Sequence, residues 1–447
     1  MIHFINEKII LPLNDALQGL SISEKFSFLL KSQYWTRDEL ISYQEMRLQD
    51  LIRHAYENVP FYKEWFRSQG LKPENIKHLE DLHKLPVLSK TEIRKNPGIF
   101  ISNKLDRKKS IRLNSSGSTG EPFEYFLSRS AYSMKYAAAL RGWTWMGYRL
   151  GDLYAKLSQN KRLSGLKKIQ DIINRSFYIY MPDLSDQSLQ NIIKSLEKEK
   201  PLFVRCYPDP LLFIAEVLRN NNKTFKGIKA ISTTGNILTP EARRIIEERF
   251  DCPVFDSYSC EGSALFYEGP NRDNYLGSME YAVTEVLDNN LIEVKPGETG
   301  MHITTDLHNF AMPLIRYNTQ DLVEKSSSES FCGRQLFGLS KIIGRDNDVL
   351  ITPSGNKLIV HLFTIYFEYF DSIRQFQIEQ TQSHVFIFRL VVDVTFNSDI
   401  KNQILNYWQN FLGKDVKLSI EIHENIPLLY SGKRRFLIRN PEIKLVI

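Results

Sequence analysis

Asn114-Ser-Ser-Gly-Ser-Thr-Gly-Glu-Pro122 places two glycines and four hydroxyl-bearing residues between two apolar alternations, Ile111/Leu113 and Phe123/Tyr125/Leu127. Both alternations predict short strands. Glycine lets the backbone approach a ligand closely, and successive N–H groups with hydroxyls form a concavity suited to phosphate oxygens. No Lys-Ser/Thr pair follows the second glycine, so the stretch is not a Walker A loop. Taken alone, it has the composition of a plain turn as well.

Size and composition define the class of protein. A chain of 447 residues is long enough for two or three domains, and its net charge of only +6 comes from scattered basic clusters, which argues against a nucleic-acid binder. The N-terminus lacks the apolar core of a signal peptide, and no run of about 18 apolar residues could span a membrane. We therefore expect a cytoplasmic protein. The cysteines show no CxxC spacing, which favours a reducing compartment and disfavours a thiolate zinc site: Cys206, Cys252, Cys260 and Cys332.

The region 201–261 has the pattern of a parallel sheet. Short apolar runs predict strands at Leu202–Cys206, Ile228–Ile231 and Pro253–Phe255, and helical patterns over 211–218 and 239–250 join them. Strands connected in this way are parallel, and ligands bind outside their carboxyl ends. We expect three loops to leave those ends and to face one crevice: 207–209, 233–236 and 256–261.

A second, smaller domain is predicted at the C-terminal end. After strands over 281–323, the segment Gly344-Arg-Asp-Asn-Asp348 interrupts two apolar stretches, as a hinge does. Beyond it, helices near 361–370 and 398–412 alternate with strands near 375–380, 384–393 and 416–422. The predicted fold class is α/β: a large N-terminal domain over 1–343 with mixed and parallel sheets and flanking helices, a hinge at 344–348, and a small mobile α+β domain over 349–447.

The segments, in this order, resemble the adenylate-forming superfamily, and in particular its phenylacetate–CoA ligase and CapK-type members. Each motif is weak alone, but the full set in one order is specific. The motifs are the phosphate loop Ser115–Pro122, the N-terminal segment Asp50–Tyr62, the turn Leu85-Pro-Val-Leu-Ser-Lys90, the segment Pro313-Leu-Ile-Arg-Tyr-Asn-Thr-Gln-Asp321, the pair Cys332-Gly-Arg334 with Gly344-Arg-Asp-Asn-Asp348, and Ser431-Gly-Lys433 at the position of the family's catalytic lysine.

The resemblance implies how ATP would be held. Tyr258 would stack on adenine, Asp321 would accept hydrogen bonds from the ribose hydroxyls with Arg345 nearby, and Lys433 would bridge the substrate carboxylate and the α-phosphate. Glu261 would bind Mg²⁺, a cation that prefers oxygen ligands. Without the resemblance, a surface ion pair, a core tyrosine or a solvated lysine explains the same residues. The remaining residues expected to bind ATP or AMP are Ser115, Ser116, Gly117, Ser118, Thr119, Gly120, Thr234, Gly235, Asn236 and Ser259.

Some motif positions depart from the family pattern. The family's Y-G-x-T-E is shortened here to Tyr258-Ser-Cys-Glu261, which puts the Mg²⁺ ligand in question. Asn236 stands where the family commonly has glutamate, and Gln320 replaces the glycine before Asp321. A nucleotide-binding homologue without ligase activity is therefore one of the alternatives.

The implied function is an ATP-dependent, carboxylate-activating ligase that forms an acyl adenylate and pyrophosphate. The acyl group would pass to an amine acceptor in surface or capsular polysaccharide biosynthesis, or to the thiol of coenzyme A. ATP and Mg²⁺ are the expected cofactors, and a small carboxylic acid with a diffusible acceptor are the expected partners. The residues expected to line the acyl pocket are Trp143, Tyr207 and Thr233, although packing of a helix against the core is an alternative explanation of Trp143. The acid and the oligomeric state, homo-oligomers included, stay open.

Overall fold

The structure is a computed structural model. It describes residues 1–114, 124–158, 171, 173–181, 186–260, 264–327, 332–345, 349–353, 357–359, 363, 366–367, 370, 372–427, 435–440 and 442–443.

The α-helices of the described residues lie mostly in the first 250 positions. Capping boxes begin two of them, at Thr36 with Glu39 and at Ser89 with Glu92, while Thr239 accepts a hydrogen bond from the Ala242 N–H at the start of another. The helices are α1 (Ile2–Ile5), α2 (Leu11–Gln18), α3 (Ile22–Ser32), α4 (Arg37–Asn58), α5 (Pro60–Ser68), α6 (Lys90–Lys95), α7 (Arg129–Trp145), α8 (Asp186–Glu199), α9 (Pro208–Asn220), α10 (Pro240–Phe250) and α11 (Ser398–Leu412). Among the described residues, no helix has the length and apolarity needed to cross a membrane.

Two strands flank the phosphate-loop motif, as the sequence predicts. They are β1 (Ser110–Asn114) and β2 (Glu124–Ser128), and they pair antiparallel, with Asn114 opposite Glu124. A strand on both sides separates this motif from the strand-to-helix geometry of a P-loop.

One sheet of 11 strands forms the centre of the large domain. Its order is β10-β11-β12-β13-β9-β8-β7-β6-β5-β3-β4, in which β4, β3, β5, β6 and β7 are parallel neighbours and the other neighbours are antiparallel. The strands are β3 (Tyr154–Ser158), β4 (Ser176–Tyr180), β5 (Phe203–Cys206), β6 (Ala230–Thr234), β7 (Val254–Cys260), β8 (Ala264–Glu268), β9 (Tyr275–Gly277), β10 (Ala282–Leu287), β11 (Thr299–Asp306), β12 (Tyr317–Lys325) and β13 (Gly338–Arg345).

The parallel strand–helix–strand prediction for 201–261 is confirmed, but two strand ends were wrong. The second strand is shifted to Ala230–Thr234, and the third continues from Val254 to Cys260. Residues 256–260 were expected in a loop because they are polar. They stay extended because β7 pairs with β8, where Tyr258 lies opposite Phe266. Thus Thr233, Thr234, Tyr258 and Ser259 lie on strands.

The C-terminal region has a separate sheet and a separate core. Its strands are β14 (Val349–Ile351) and β15 (Lys357–Ile359), which pair with each other, and β16 (Ile373–Gln382), β17 (Val385–Val392), β18 (Lys417–Ile422) and β19 (Leu437–Arg439), ordered β18-β17-β16-β19. Ile404, Trp408 and Leu412 of α11 are buried against this sheet in one apolar cluster. Two apolar layers of this kind form a domain core of their own. The exact boundary at 344–348 stays a prediction, since Gly344 and Arg345 are the last residues of β13.

Candidate active site

Tyr258, Asp321 and His302 meet at the boundary between β7, β11 and β12. The Tyr258 hydroxyl donates to Asp321 Oδ2 at 2.6 Å and lies 2.8 Å from His302 Nδ1. His302 is fully buried, with its ring centroid 5.4 Å from that of Tyr258. The sequence-based prediction paired adenine with Tyr258 and ribose with Asp321, and the structure brings these two residues into direct contact.

The protonation states in this group follow from burial. Loss of solvent lowers the pKa of His302 to about 3, so its imidazole is neutral at neutral pH. Burial, followed by the Asp321 charge, raises the pKa of Tyr258, so its hydroxyl keeps its proton. The arrangement compatible with both contacts has His302 Nδ1–H donating to the tyrosine oxygen and the tyrosine O–H donating to Asp321, while the buried His302 Nε2 has no hydrogen-bond partner among the described residues. The carboxylate is thus fixed in one orientation.

Arg345 lies directly across from Asp321 in the register of β12 and β13. The sequence predicted that these residues are neighbours, and the backbone confirms it, while the Arg345 side chain lies outside the described part of the chain. Next to Asp321, Gln320 has a φ of +64°, in the left-handed region that favours glycine. This is the position where Gln320 replaces the glycine of the family motif, so the backbone shape is retained with a less suitable residue.

The segment 313–321 is held by the two other motifs of the N-terminal half. The Tyr62 hydroxyl donates to the Pro313 carbonyl at 3.1 Å and accepts from the Ile315 N–H at 3.1 Å. Leu88 forms a parallel β-bridge with Tyr317. The three motifs, far apart in sequence, therefore form one support for the segment at the start of β12 that carries Asp321.

The arginine of the same segment is structural. Arg316 is buried, binds Glu285 through its Nε and Nη2 at 2.9–3.2 Å, and donates to the Leu85 carbonyl at 2.7 Å. A buried arginine that is paired and bound to a carbonyl in this way fixes the backbone rather than a ligand.

Thr233 belongs to a second buried polar group. Its hydroxyl donates to Asp256 Oδ1 at 2.6 Å, and the Tyr275 hydroxyl donates to Asp256 Oδ2 at 2.8 Å. Burial raises the pKa of Asp256, while these two hydroxyls lower it. Thr233 is fully buried, and its role in the acyl pocket stays a prediction.

Residues 207–209 and 233–236 lie at the carboxyl ends of β5 and β6, but they are only partly loops, because Pro208 already begins α9 and β6 continues to Thr234. Asn236 donates a hydrogen bond to Asp209 in the first turn of α9. Gly235 has a φ of +87°, a conformation that needs glycine. Thr234 is partly buried and Ser259 is exposed. Their contacts with ATP stay predictions, although they lie at the edge of the sheet where ligands bind in this kind of fold.

Trp143 and Tyr207 lie on the side of the sheet that α7 covers. Trp143 is 7% exposed and makes edge-to-face contacts with Tyr148 and Tyr154, each with ring centroids 5.0 Å apart. Burial raises the pKa of Tyr207, which is partly exposed next to the strand ends. Both positions are consistent with the predicted acyl pocket, which stays a prediction.

Several predicted residues lie outside the described residues, namely Ser115, Ser116, Gly117, Ser118, Thr119, Gly120, Glu261 and Lys433. Their proposed contacts with phosphate, Mg²⁺ and the reacting carboxylate stay predictions. Within the described part of the chain, no group of three or more His, Cys, Asp or Glu side chains could hold a metal ion.

Sequence reasoning missed His302 and Tyr62, which act through other residues. His302 follows Thr299-Gly-Met301 in an ordinary strand, and Tyr62 ends a motif that was recognised only as a helix. A structural role for Tyr62 could have been inferred from the family resemblance, which includes its motif and assigns it no catalytic function. For His302 there was none, because its importance depends on the β7 and β12 partners.

Comparisons with known proteins support the family resemblance that the motifs carry. The family model of the CapK C-terminal domain matches residues 350–440. Protein CapK of Staphylococcus aureus is 27% identical over 455 residues, covering 95% of this chain and 97% of that protein. The phenylacetate-coenzyme A ligase of Aromatoleum evansii is 27% identical over 336 residues, covering 72% and 74% of the two chains.

A solved structure has the same fold. The crystal structure of a 2-hydroxyisobutyryl-CoA ligase in the postadenylation state matches with a TM-score of 0.74 and 21% identity, covering 92% of both chains. The fold is that of this adenylate-forming ligase. The sequence is similar to CapK and to the phenylacetate–coenzyme A ligases, which is the resemblance that the motifs indicated.

Proposed function

We propose that the protein activates a small carboxylic acid with ATP, forming an acyl adenylate and pyrophosphate, and then transfers the acyl group to an amine. The observation that carries the proposal is the contact between Tyr258 and Asp321, with Arg345 opposite Asp321 on β13. These groups would hold the adenosine, while the Ser115–Gly120 loop would hold the phosphates. The reaction would take place in the cytoplasm.

The chemistry brings two anions together, the carboxylate and the α-phosphate. Negative charge grows on the phosphoryl oxygens as the carboxylate oxygen attacks and pyrophosphate leaves, so cations and N–H donors must be placed there. Lys433 would supply the cation between the two reactants. Mg²⁺, with Glu261 as its proposed ligand, would neutralise phosphate charge.

The amine acceptor is favoured over coenzyme A by the extent of the sequence similarity. Similarity to a phenylacetate-coenzyme A ligase covers 72% of the chain, whereas similarity to CapK covers 95%, and the matching C-terminal model is that of CapK. The acceptor would enter after the C-terminal domain rotates, so this domain shapes the acceptor site. An amine on a sugar in surface or capsular polysaccharide synthesis is the acceptor we propose.

The second candidate is an acyl-CoA ligase, which the phenylacetate-coenzyme A ligase relatives favour. Its product is a thioester rather than an amide. Incubating the enzyme with ATP, an accepted acid and either coenzyme A or an amino sugar, followed by mass spectrometry, separates the two. A thioester formed in preference to the amide would overturn the amine proposal.

Carboxylate-dependent exchange between ATP and pyrophosphate tests the first half-reaction. We expect Lys433→Ala to reduce this exchange by at least about 100-fold, comparable to the loss of a key charge-stabilising donor. Lys414→Ala, at an exposed lysine of the same domain, is the matched control and should leave exchange unchanged. If no acid supports exchange and Lys433→Ala does not alter ATP binding, only a nucleotide-binding role would remain.

A further inference from the structure

Arg205 lies on the face of the parallel strands that α7 covers. Successive residues of a strand point to opposite faces, and Val204 and Cys206 belong to the apolar cluster on the other side of the sheet. Phe203, two residues before Arg205, packs with Trp143 in the cluster under α7. Arg205 therefore shares the face of Phe203, and its guanidinium carbon lies 6.0 Å from the centre of the Trp143 ring.

A row of polar side chains crosses this face at the level of Arg205. Arg205 lies opposite Lys156 of β3 on one side and Ser232 of β6 on the other, and Lys156 lies opposite Tyr178 of β4. Two positive residues are thus cross-strand neighbours, and an anion bound at this level would be attracted by both charges.

Aromatic side chains surround the guanidinium. Burial raises the pKa values of Tyr154, Tyr207 and Tyr267, and the nearby Arg205 charge lowers each of them. Tyr267 also packs over Gly142 of α7, where a methyl group would come within 2.3 Å of its ring. The result is an aromatic region beside a half-buried guanidinium.

Among the residues that the structure describes, Arg205 forms no ion pair with a carboxylate, and its described contact is the one with the Trp143 ring. By contrast, the buried Arg141 and Arg316 are each paired with a glutamate. An arginine in an apolar setting is stabilised by a planar anion that takes both of its N–H groups.

The position of Arg205 along its strand determines which part of a substrate it can contact. Its neighbour Ser232 lies three residues before Gly235, which is about 10 Å along an extended strand. The adenylate is expected at the strand ends, near Gly235. A group bound by Arg205 would therefore be at the far end of an acid, and not at the carboxylate that reacts.

We propose that Arg205 selects acids that carry a second carboxylate at the end remote from the reacting one. This inference rests on the proposed carboxylate activation and adds its substrate class: a small dicarboxylic acid, held by a bidentate pair with Arg205 and by the flanking tyrosine hydroxyls. Trp143 lies beside the half-buried guanidinium, and a pair formed there is stronger than one in bulk water.

The test compares acids with one carboxylate against matched acids with two. Exchange between ATP and pyrophosphate is measured with butyrate against succinate, pentanoate against glutarate, hexanoate against adipate, and phenylacetate against 4-carboxyphenylacetate. We expect at least one diacid to have a kcat/KM about 10- to 100-fold above that of its partner. Arg205→Gln should abolish this preference, while Arg205→Lys should keep part of it.

Arg219→Gln, at an exposed arginine of α9, is the charge-matched control and should leave the preference unchanged. The proposal is overturned if the wild-type enzyme treats both members of every pair alike, or prefers the monoacids. It is also overturned if Arg205→Gln retains the diacid preference. In either case the carboxylate activation itself stands, since exchange is still observed.

A binding measurement separates failure of the inference from failure of the proposed function. If no acid supports exchange, the melting temperature is recorded with each acid in the absence of ATP. If a diacid raises the melting temperature of the wild type and of Arg219→Gln but not that of Arg205→Gln, that result would support the anion site even though the ligase function has failed. The absence of any such rise would overturn the inference as well.

Discussion

In the antiparallel half of the large sheet, the Tyr258 hydroxyl is held between His302 and Asp321, whereas in the parallel half Arg205 has the face of Trp143 beside it and no carboxylate partner among the described residues. In the first region, protein groups alone fix the carboxylate. In the second, the remote carboxylate of the proposed acid would supply the partner of Arg205. Adenosine is the same in every adenylation reaction, so its site gains from fixed geometry, while the acid differs between enzymes.

The largest expected effect comes from replacing Asp321, which disrupts its contact with Tyr258. Asp321→Ala removes the proposed ribose acceptor and leaves the Tyr258 hydroxyl without its carboxylate partner. Loss of a charged hydrogen-bond partner costs about 1.5–3 kcal/mol, so kcat/KM for ATP in the exchange reaction should fall about 10- to 150-fold. Asp415→Ala, at an exposed acid of the C-terminal domain, should leave it unchanged. An unaltered kcat/KM in Asp321→Ala would place the ribose elsewhere.

The second prediction tests the strand that leads into the predicted hinge. Gly344 has a φ of +107°, and a Cβ there would come within 2.9 Å of Ile237 Cδ1. Gly413, with a φ of +113° and nothing within 4 Å, is a matched control without the clash. Gly344→Ala should destabilise the protein by about 0.5–1.5 kcal/mol more than Gly413→Ala, measured by urea unfolding, because the partly exposed Ile237 side chain must leave its rotamer. Adding Ile237→Ala should recover part of the difference, and failure to do so would refute the contact.

The third prediction concerns the pH dependence of the unfolding free energy, to which the buried His302 contributes. His302 has a pKa of about 3 when folded and takes up a proton near 6.5 when unfolded, so acidification between these values favours unfolding. The contribution is about 1.4 kcal/mol per pH unit well below 6.5. His302→Asn should show a shallower loss of unfolding free energy than wild type. His308 acts in the same direction and Asp306 in the opposite one, so the difference between variants is what is measured. A pH dependence as steep in His302→Asn as in wild type would contradict a neutral, buried His302.

The smallest expected effect concerns Gln320. Its left-handed backbone, at φ +64°, costs a non-glycine residue about 1 kcal/mol. Gln320→Gly should therefore raise the unfolding free energy by about 0.5–1 kcal/mol, after allowing for the greater freedom of glycine in the unfolded chain. Gln320→Ala keeps the unfavourable conformation and should give no gain. Equal stability of the two variants would contradict the strain.

The sequence predicted the parallel half of the sheet because its signals are local. Apolar runs of four or five residues, the Thr239-Pro240 helix start and short connections together specify strand, helix and strand. The end of β7 was mispredicted, since its polar residues are kept extended by pairing with β8, a partner that local composition does not indicate.

The candidate site was predictable where a motif carries the residue and not where tertiary contact does. Asp321 and Arg345 were expected as neighbours from the motif order, and the strand register places them opposite each other. His302 and Arg205 belong to no motif. Their chemistry depends on side chains that neighbouring strands and α7 bring close, which a single sequence does not specify.

The hydrogen bonds between Tyr62 and the segment 313–315 have a consequence for how the protein is made. The two partners of one of these bonds are 251 positions apart in the chain. At roughly 5–20 residues per second, the ribosome needs about 13 to 50 s to synthesise that interval. The hydrogen bonds of Tyr62 can therefore form only after that interval has been synthesised, so the segment that carries Asp321 is completed late. A fragment that starts after Leu88 would lose this scaffold although it retains Tyr258, Asp321 and His302.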